Sequence, residues 1–79
     1  MLRDLPDDDE WIRAQSQVIG ARVLARRTQL RATQEAVYLA ARVDRRTLQA
    51  LEAGEGNPTY TTLAKLAYVL GLPLAELVA

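Results

Sequence analysis

The chain has 79 residues, 49% of them hydrophobic and 25% charged, which is one small domain's worth of polypeptide with no room for a separate ligand-binding or catalytic domain. Ten basic and ten acidic side chains balance to zero, and there is neither cysteine nor histidine; disulfides, thiolate chemistry, the commonest metal ligands and the usual general base are all excluded. No apolar run approaches the roughly 20 residues that a membrane span requires, and the start Met1-Leu2-Arg3-Asp4 is not that of a signal peptide, so a cytoplasmic protein without cofactor is expected.

The N-terminal segment reads as a helix start. Pro6 is followed by Asp7, Asp8, Asp9 and Glu10, and carboxylates favour the positive end of a helix dipole. Behind them Trp11, Ile12, Gln15, Ile19, Val23 and Leu30 fall roughly on one stripe at helical spacing. A first helix from about Asp8 to Leu30 is predicted, with Gly20 as a candidate interruption. Thr33, with Glu35 and Ala36, opens a second, short helix whose apolar residues are Ala36, Val37, Leu39 and Ala40.

Asp44 is an N-cap candidate for a third helix over Arg45 to Glu52, with Leu48 and Leu51 facing inward. Gly54-Glu55-Gly56-Asn57-Pro58 is a loop by composition. Thr59 caps a fourth helix carrying Leu63, Leu66, Ala67 and Leu70; Gly71 ends it, and Pro73 starts a final turn through Leu74, Leu77 and Val78. No alternating strand pattern appears. The chain is predicted to be all-α, a compact five-helix bundle whose first helix is extended at its N-terminus.

The zero net charge divides unevenly. Residues 1–17 hold two arginines against five carboxylates, a net of −3, whereas residues 18–62 hold seven arginines against four, a net of +3. An acidic extension, 1–17, thus precedes a basic domain, 18–79, and a cluster of arginine suggests nucleic acid as a partner. Two short helices a few residues apart, the second rich in Arg and Gln, match the helix-turn-helix arrangement, in which the second helix enters the major groove. With Asp44 as cap, Arg45, Arg46, Gln49 and Ala50 point outward. Arg forks onto the two acceptors of guanine, Gln onto the donor and acceptor of adenine, and Ala meets a thymine methyl.

Residues 19–78 resemble the Cro and phage-repressor helix-turn-helix family, the XRE family. The matching stretches are Ile19-Gly20-Ala21-Arg22-Val23, Thr33-Gln34-Glu35, Val43-Asp44-Arg45-Arg46-Thr47-Leu48 and Leu66-Ala67-Tyr68-Val69-Leu70-Gly71-Leu72. Most specific is Leu51-Glu52-Ala53-Gly54-Glu55-Gly56-Asn57-Pro58-Thr59 at the end of the third helix. The resemblance implies base-reading roles for Arg45, Arg46, Gln49 and Ala50. It implies phosphate contacts for Thr33 and Gln34 at the start of the second helix and for Asn57, Thr59 and Tyr60 near the loop; Arg42 and Thr47 join this set. Arg27 and Glu52 stand where family members often pair, which is read here as a structural salt bridge.

The chain departs from the family pattern at five positions, one of them Asp44, a carboxylate near the phosphates where family members more often carry a neutral hydroxyl. Arg42 and Arg31 stand where glycine is usual, at a cost of roughly 1 kcal/mol each if the backbone there has φ > 0. Tyr38 replaces a small residue and Ala32 a larger one, which suggests a compensating exchange of volume. Two apolar surfaces are candidates for pairing: the C-terminal run Leu70, Leu72, Leu74, Leu77 and Val78, and the N-terminal extension with Trp11 and Ile12, unless Trp11 caps the domain's own core. The acidic stretch Asp7 to Glu10 stabilises its own helix, faces a basic protein partner, or covers the arginine face when DNA is absent.

No pair of acid–base groups or nucleophile–base set is evident, so an enzyme is not expected. The reading is a sequence-specific DNA-binding transcriptional regulator, a repressor acting at an operator as a homodimer on double-stranded DNA, cytoplasmic and nucleoid-associated. The alternative is a protein-interaction module, of the kind found in antitoxins or larger assemblies, with weak or no DNA binding.

Overall fold

The computed structural model describes residues 1–79 as five helices and no strand: α1 (Glu10–Gln29), α2 (Gln34–Ala41), α3 (Arg45–Glu52), α4 (Tyr60–Leu70) and α5 (Leu74–Val78). No helix is long and apolar enough to cross a membrane. The core is small and wholly apolar: Val23, Val37, Ala41, Leu48, Leu51, Leu66, Ala67, Leu70 and Leu77. It is drawn from every helix. α1 packs on α3, α4 and α5, while α2 packs on α3 and α4.

Local chemistry sets the helix starts. The hydroxyl oxygens of Thr33 and Thr59 accept hydrogen bonds from the Ala36 and Thr62 amides, at 3.0 and 3.1 Å, each satisfying an N–H that has no partner within its helix. Asp44 occupies the cap position of α3 as expected, in extended backbone, although its carboxylate takes no capping bond. α1 begins two residues later than predicted, with Asp9 as its cap.

The four longer helices all end in the same way. A residue with positive φ follows each, at Arg31, Arg42, Gly54 and Gly71. In each case the next amide reaches back five residues to a carbonyl: Ala32 to Arg27, Val43 to Tyr38, Glu55 to Ala50 and Leu72 to Ala67, over 2.8 to 3.1 Å. This double-bonded terminus favours glycine because a Cβ crowds the carbonyl in left-handed backbone. Two of the four ends nevertheless carry arginine, with φ of 55° and 57°, as the departures from the family pattern anticipated.

Several expectations are corrected. Gly20 does not interrupt α1; it is buried in mid-helix, facing the backbone of α3. The predicted α1 stripe is buried only at Val23 and half-buried at Ile19; Trp11, Ile12 and Gln15 are exposed because residues 10–15 run beyond the domain's core, and Leu30, which follows the other end of α1, is exposed too. Trp11 therefore does not cap the core; it borders a hollow with Arg3, Asp4, Leu5 and Pro6. On α2 the buried residues are Val37 and Ala41, while Ala36, Leu39 and Ala40 face outward.

The C-terminal run is not a free surface. Leu70 and Leu77 are buried, Leu72 and Leu74 pack half-buried against the core, and Val78 alone of the five is exposed. Arginines from α1 pin this end: Arg26 Nε donates to the Leu70 carbonyl at 2.9 Å, and Arg22 Nη1 to the carbonyls of Leu77 and Ala79. Tyr38 does not point into solvent. It and Ala32 both lie half-buried against the core, as the volume exchange requires.

Candidate nucleic-acid interface

The turn between α2 and α3 is three residues, Arg42, Val43 and Asp44. Left-handed Arg42 stops α2, and extended Asp44 starts α3. Leu48 and Leu51 drive the inner face of α3 into the core at 0% and 1% exposure. That anchoring leaves Arg45, Arg46 and Gln49 exposed, with Thr47 and Ala50 half-buried at the margins.

This exposed ridge stands between two hollows. On one side Arg45 and Gln49 share a hollow with Thr33, Gln34, Glu35 and Tyr38 from α2. On the other, Arg46, Thr47 and Ala50 share one with Glu55, Gly56, Asn57 and Pro58 from the loop. The helix thus presents an arginine-bearing face with a hollow on either side.

One ion pair fixes how α3 sits. Arg27 of α1 grips Glu52 with two parallel bonds, Nε to Oε2 at 2.6 Å and Nη2 to Oε1 at 2.9 Å, the fork-on-fork geometry that arginine offers a carboxylate. The side chains are 14% and 5% exposed. Arg27 Nη1 also donates to the Ala32 carbonyl at 2.9 Å. The hydrogen bond to Glu52 holds the guanidinium above its ordinary pKa; burial opposes this, and attraction to the carboxylate adds to it. The expected structural pair is present, and it has a third member. Gln34 Nε2 donates to Glu52 Oε1 at 2.9 Å, tying the first residue of α2 to the last of α3.

The remaining expected contact residues are spread over several surfaces. Thr33 is exposed but its hydroxyl caps α2. Asn57 is exposed in the loop hollow. Thr59 is exposed, and its hydroxyl bonds Thr62; Tyr60 beside it is exposed at 74%. Arg42 lies elsewhere, bordering a cleft with Ala40, Ala41, Lys65, Tyr68 and Val69 between α2 and α4. Sequence reasoning missed the two carboxylates that flank the ridge, Glu35 and Glu55, and the engagement of Gln34 by Glu52. No local signal marks these; each depends on which helices meet. No group of three or more acidic residues is placed to hold a metal ion.

Two short helices, a three-residue turn and an exposed arginine-bearing second helix define a helix-turn-helix unit. The chain belongs to the XRE-type helix-turn-helix family, whose family model, described as "Helix-turn-helix", matches residues 23–77. Among solved structures it is similar to the restriction-modification controller protein C.AhdI from Aeromonas hydrophila, with 28% identity and a TM-score of 0.77, covering 81% of this chain and 97% of the controller. No curated protein is significantly similar in sequence.

Proposed function

We propose that the protein is a sequence-specific DNA-binding transcription regulator that occupies an operator as a homodimer, with α3 in the major groove. The observation that carries this is the exposure of Arg45, Arg46 and Gln49 on one side of a helix whose other side, at Leu48 and Leu51, is buried. An interaction module with no DNA role has no need to hold two arginines and a glutamine free between flanking grooves. Similarity to a controller of restriction-modification agrees with a small regulator.

In this reading Arg45, Arg46, Gln49 and Ala50 meet base edges. Thr33, Gln34, Thr47, Asn57, Thr59 and Tyr60 meet phosphates, and Arg42 adds charge from the turn. Repression is the simpler action, because a protein covering a promoter needs no further contact. Dimers place two such helices on half-sites about 34 Å apart. The protein acts in the cytoplasm, at the nucleoid.

The test is binding of labelled duplex from the promoter of its own gene across a salt series, beside random duplex and the Arg45→Ala, Arg46→Ala double variant. Tight promoter binding that survives competitor and collapses in the variant supports the regulator. Equal weak binding to both duplexes, or none at low salt, overturns it in favour of an interaction module.

A further inference from the structure

The left-handed residues that follow α3 and α4 are glycines, Gly54 and Gly71; those that follow α1 and α2 are Arg31 and Arg42, at φ of 55° and 57°. Space accounts for only part of this. A Cβ on residue 54 would stand 2.9 Å from the Gln17 side chain, whereas one on residue 71 would meet only Arg26, at 3.6 Å. Glycine is thus kept where a side chain would fit, and the strain of a Cβ in left-handed backbone is carried at residues 31 and 42 instead. These two positions bracket α2: Arg31 lies three residues before its first, and Arg42 follows its last. Backbone strain of this kind concentrates at functional sites.

Arg31 is also an arginine of the basic segment without a partner. Arg22 and Arg26 bond carbonyls at the C-terminal end, and Arg27 holds Glu52. Arg45 and Arg46 form the exposed ridge, and Arg42 stands at the turn into it. The Arg31 side chain is exposed and meets neither a carboxylate nor a carbonyl. Its place is at the rim of the hollow beside the ridge. Arg27 and Thr33, four residues before it and two after, both line that hollow, and Arg27 Nη1 donates to the carbonyl of the intervening Ala32. The charges of the hollow cancel without Arg31: Glu35 offsets Arg45, and Glu52 offsets Arg27. A polyanion entering it gains nothing from charge until Arg31 makes the sum positive.

We propose that Arg31 binds a backbone phosphate of DNA at this hollow, beside Thr33 at the start of α2. The inference rests on the DNA-binding part of the proposed function and deepens it. The XRE family usually carries glycine at this position, so the contact belongs to this chain and not to the fold. A guanidinium forks onto two phosphate oxygens, and a backbone contact carries no sequence information, so Arg31 strengthens binding to every duplex alike.

The experiment pairs DNA binding of the full chain, on promoter and random duplex from about 50 to 200 mM salt, with unfolding in urea. Arg31→Gln keeps the left-handed backbone strained and removes the charge. It should weaken binding to both duplexes and lower the slope of log K against log salt by about 0.9, so that its deficit shrinks about 3.5-fold over that salt range. Arg31→Lys should keep the slope. Arg31→Gly should lose the same slope and yet unfold at higher urea, moving binding and stability in opposite directions as a merely structural residue does not. Arg13→Gln removes an equal charge from the exposed first turns of α1 and should leave the slope alone. An unchanged slope in Arg31→Gln, an equal fall in Arg13→Gln, or a midpoint lowered by Arg31→Gly overturns the inference. A wild-type chain that binds neither duplex removes the regulator reading and this contact with it. Promoter binding that collapses in the Arg45→Ala, Arg46→Ala variant but is untouched by Arg31→Gln removes the Arg31 contact alone.

Discussion

Gly20 in α1 and Leu51 in α3 lie so close that a Cβ on residue 20 would stand 2.0 Å from the Leu51 carbonyl oxygen. That oxygen belongs to backbone, held inside the helix that carries the exposed arginines, so neither partner can step aside cheaply. The closeness of α1 and α3 is thus set by the absence of one methyl group.

Gly20→Ala should therefore destabilise the fold, although alanine in a helix interior ordinarily gains about 1 kcal/mol over glycine. Overpacking of this kind costs about 1–3 kcal/mol, and more when backbone must move. A fall in melting temperature of roughly 4–8 °C per kcal/mol follows for a domain of this size. Thermal denaturation followed by circular dichroism reads it directly; an unchanged or higher midpoint would mean that the helices are further apart.

The Arg27–Glu52 pair offers a second check. Removing either partner leaves a mostly buried charge without its counterpart, a loss of about 3–5 kcal/mol at fully buried sites and less at this one. Arg27→Ala and Glu52→Ala should each be costly, and the double variant should cost much less than their sum. Glu52→Ala should also release Gln34 and weaken DNA binding beyond its effect on stability, whereas Glu52→Gln keeps an amide oxygen that accepts from Gln34 Nε2. Additive losses in a urea double-mutant cycle would argue against the coupling.

At the left-handed positions the expected sign reverses. Arg31→Gly and Arg42→Gly relieve positive-φ strain of about 1 kcal/mol each, partly offset by the greater freedom of glycine in the unfolded chain. Small gains in the urea midpoint are expected. If Arg42 reaches phosphate, its replacement also lowers the salt dependence of DNA binding by close to one charge.

Salt dependence separates the two kinds of contact on the ridge. A lost arginine or lysine contact to phosphate lowers the slope of log K against log salt by about 0.9, a lost neutral contact leaves the slope alone, and a lost base contact costs about 1–3 kcal/mol at one base pair. Gln49→Ala should relax sequence preference at constant slope. Asn57→Ala and Tyr60→Ala should weaken all duplexes alike. Equal effects of Gln49→Ala on specific and random duplex would remove Gln49 from the base-reading set.

How much of this is legible in the chain depends on how local the cause is. Thr33, Asp44, Thr59 and Gly71 mark helix ends because a cap or a left-handed residue acts within one turn, and α2 through α5 follow from them. Gly20 reads as an interruption from the sequence, because the backbone it admits belongs to another helix. On α2, Ala36, Val37, Leu39, Ala40 and Ala41 crowd most of the circumference with small apolar side chains, so periodicity does not separate Ala40 outside from Ala41 inside. The C-terminal leucines look like a surface until α1's arginines close over their carbonyls. At the interface, Arg45, Arg46 and Gln49 follow from the cap and the two inward leucines, while the bond of Gln34 to Glu52 joins two helices and leaves no local signal.

The long α1 has a consequence for how the molecule meets a polyanion. The particle measures 41 × 23 × 20 Å, and its acidic and basic segments differ in charge by six while the total is zero. With no net charge there is little long-range pull; the uneven division of charge along the chain instead leaves a dipole on which the field of DNA exerts a torque. Approach is thereby sorted by orientation before any base is touched, and that sorting fades as salt shortens the screening length to about 8 Å.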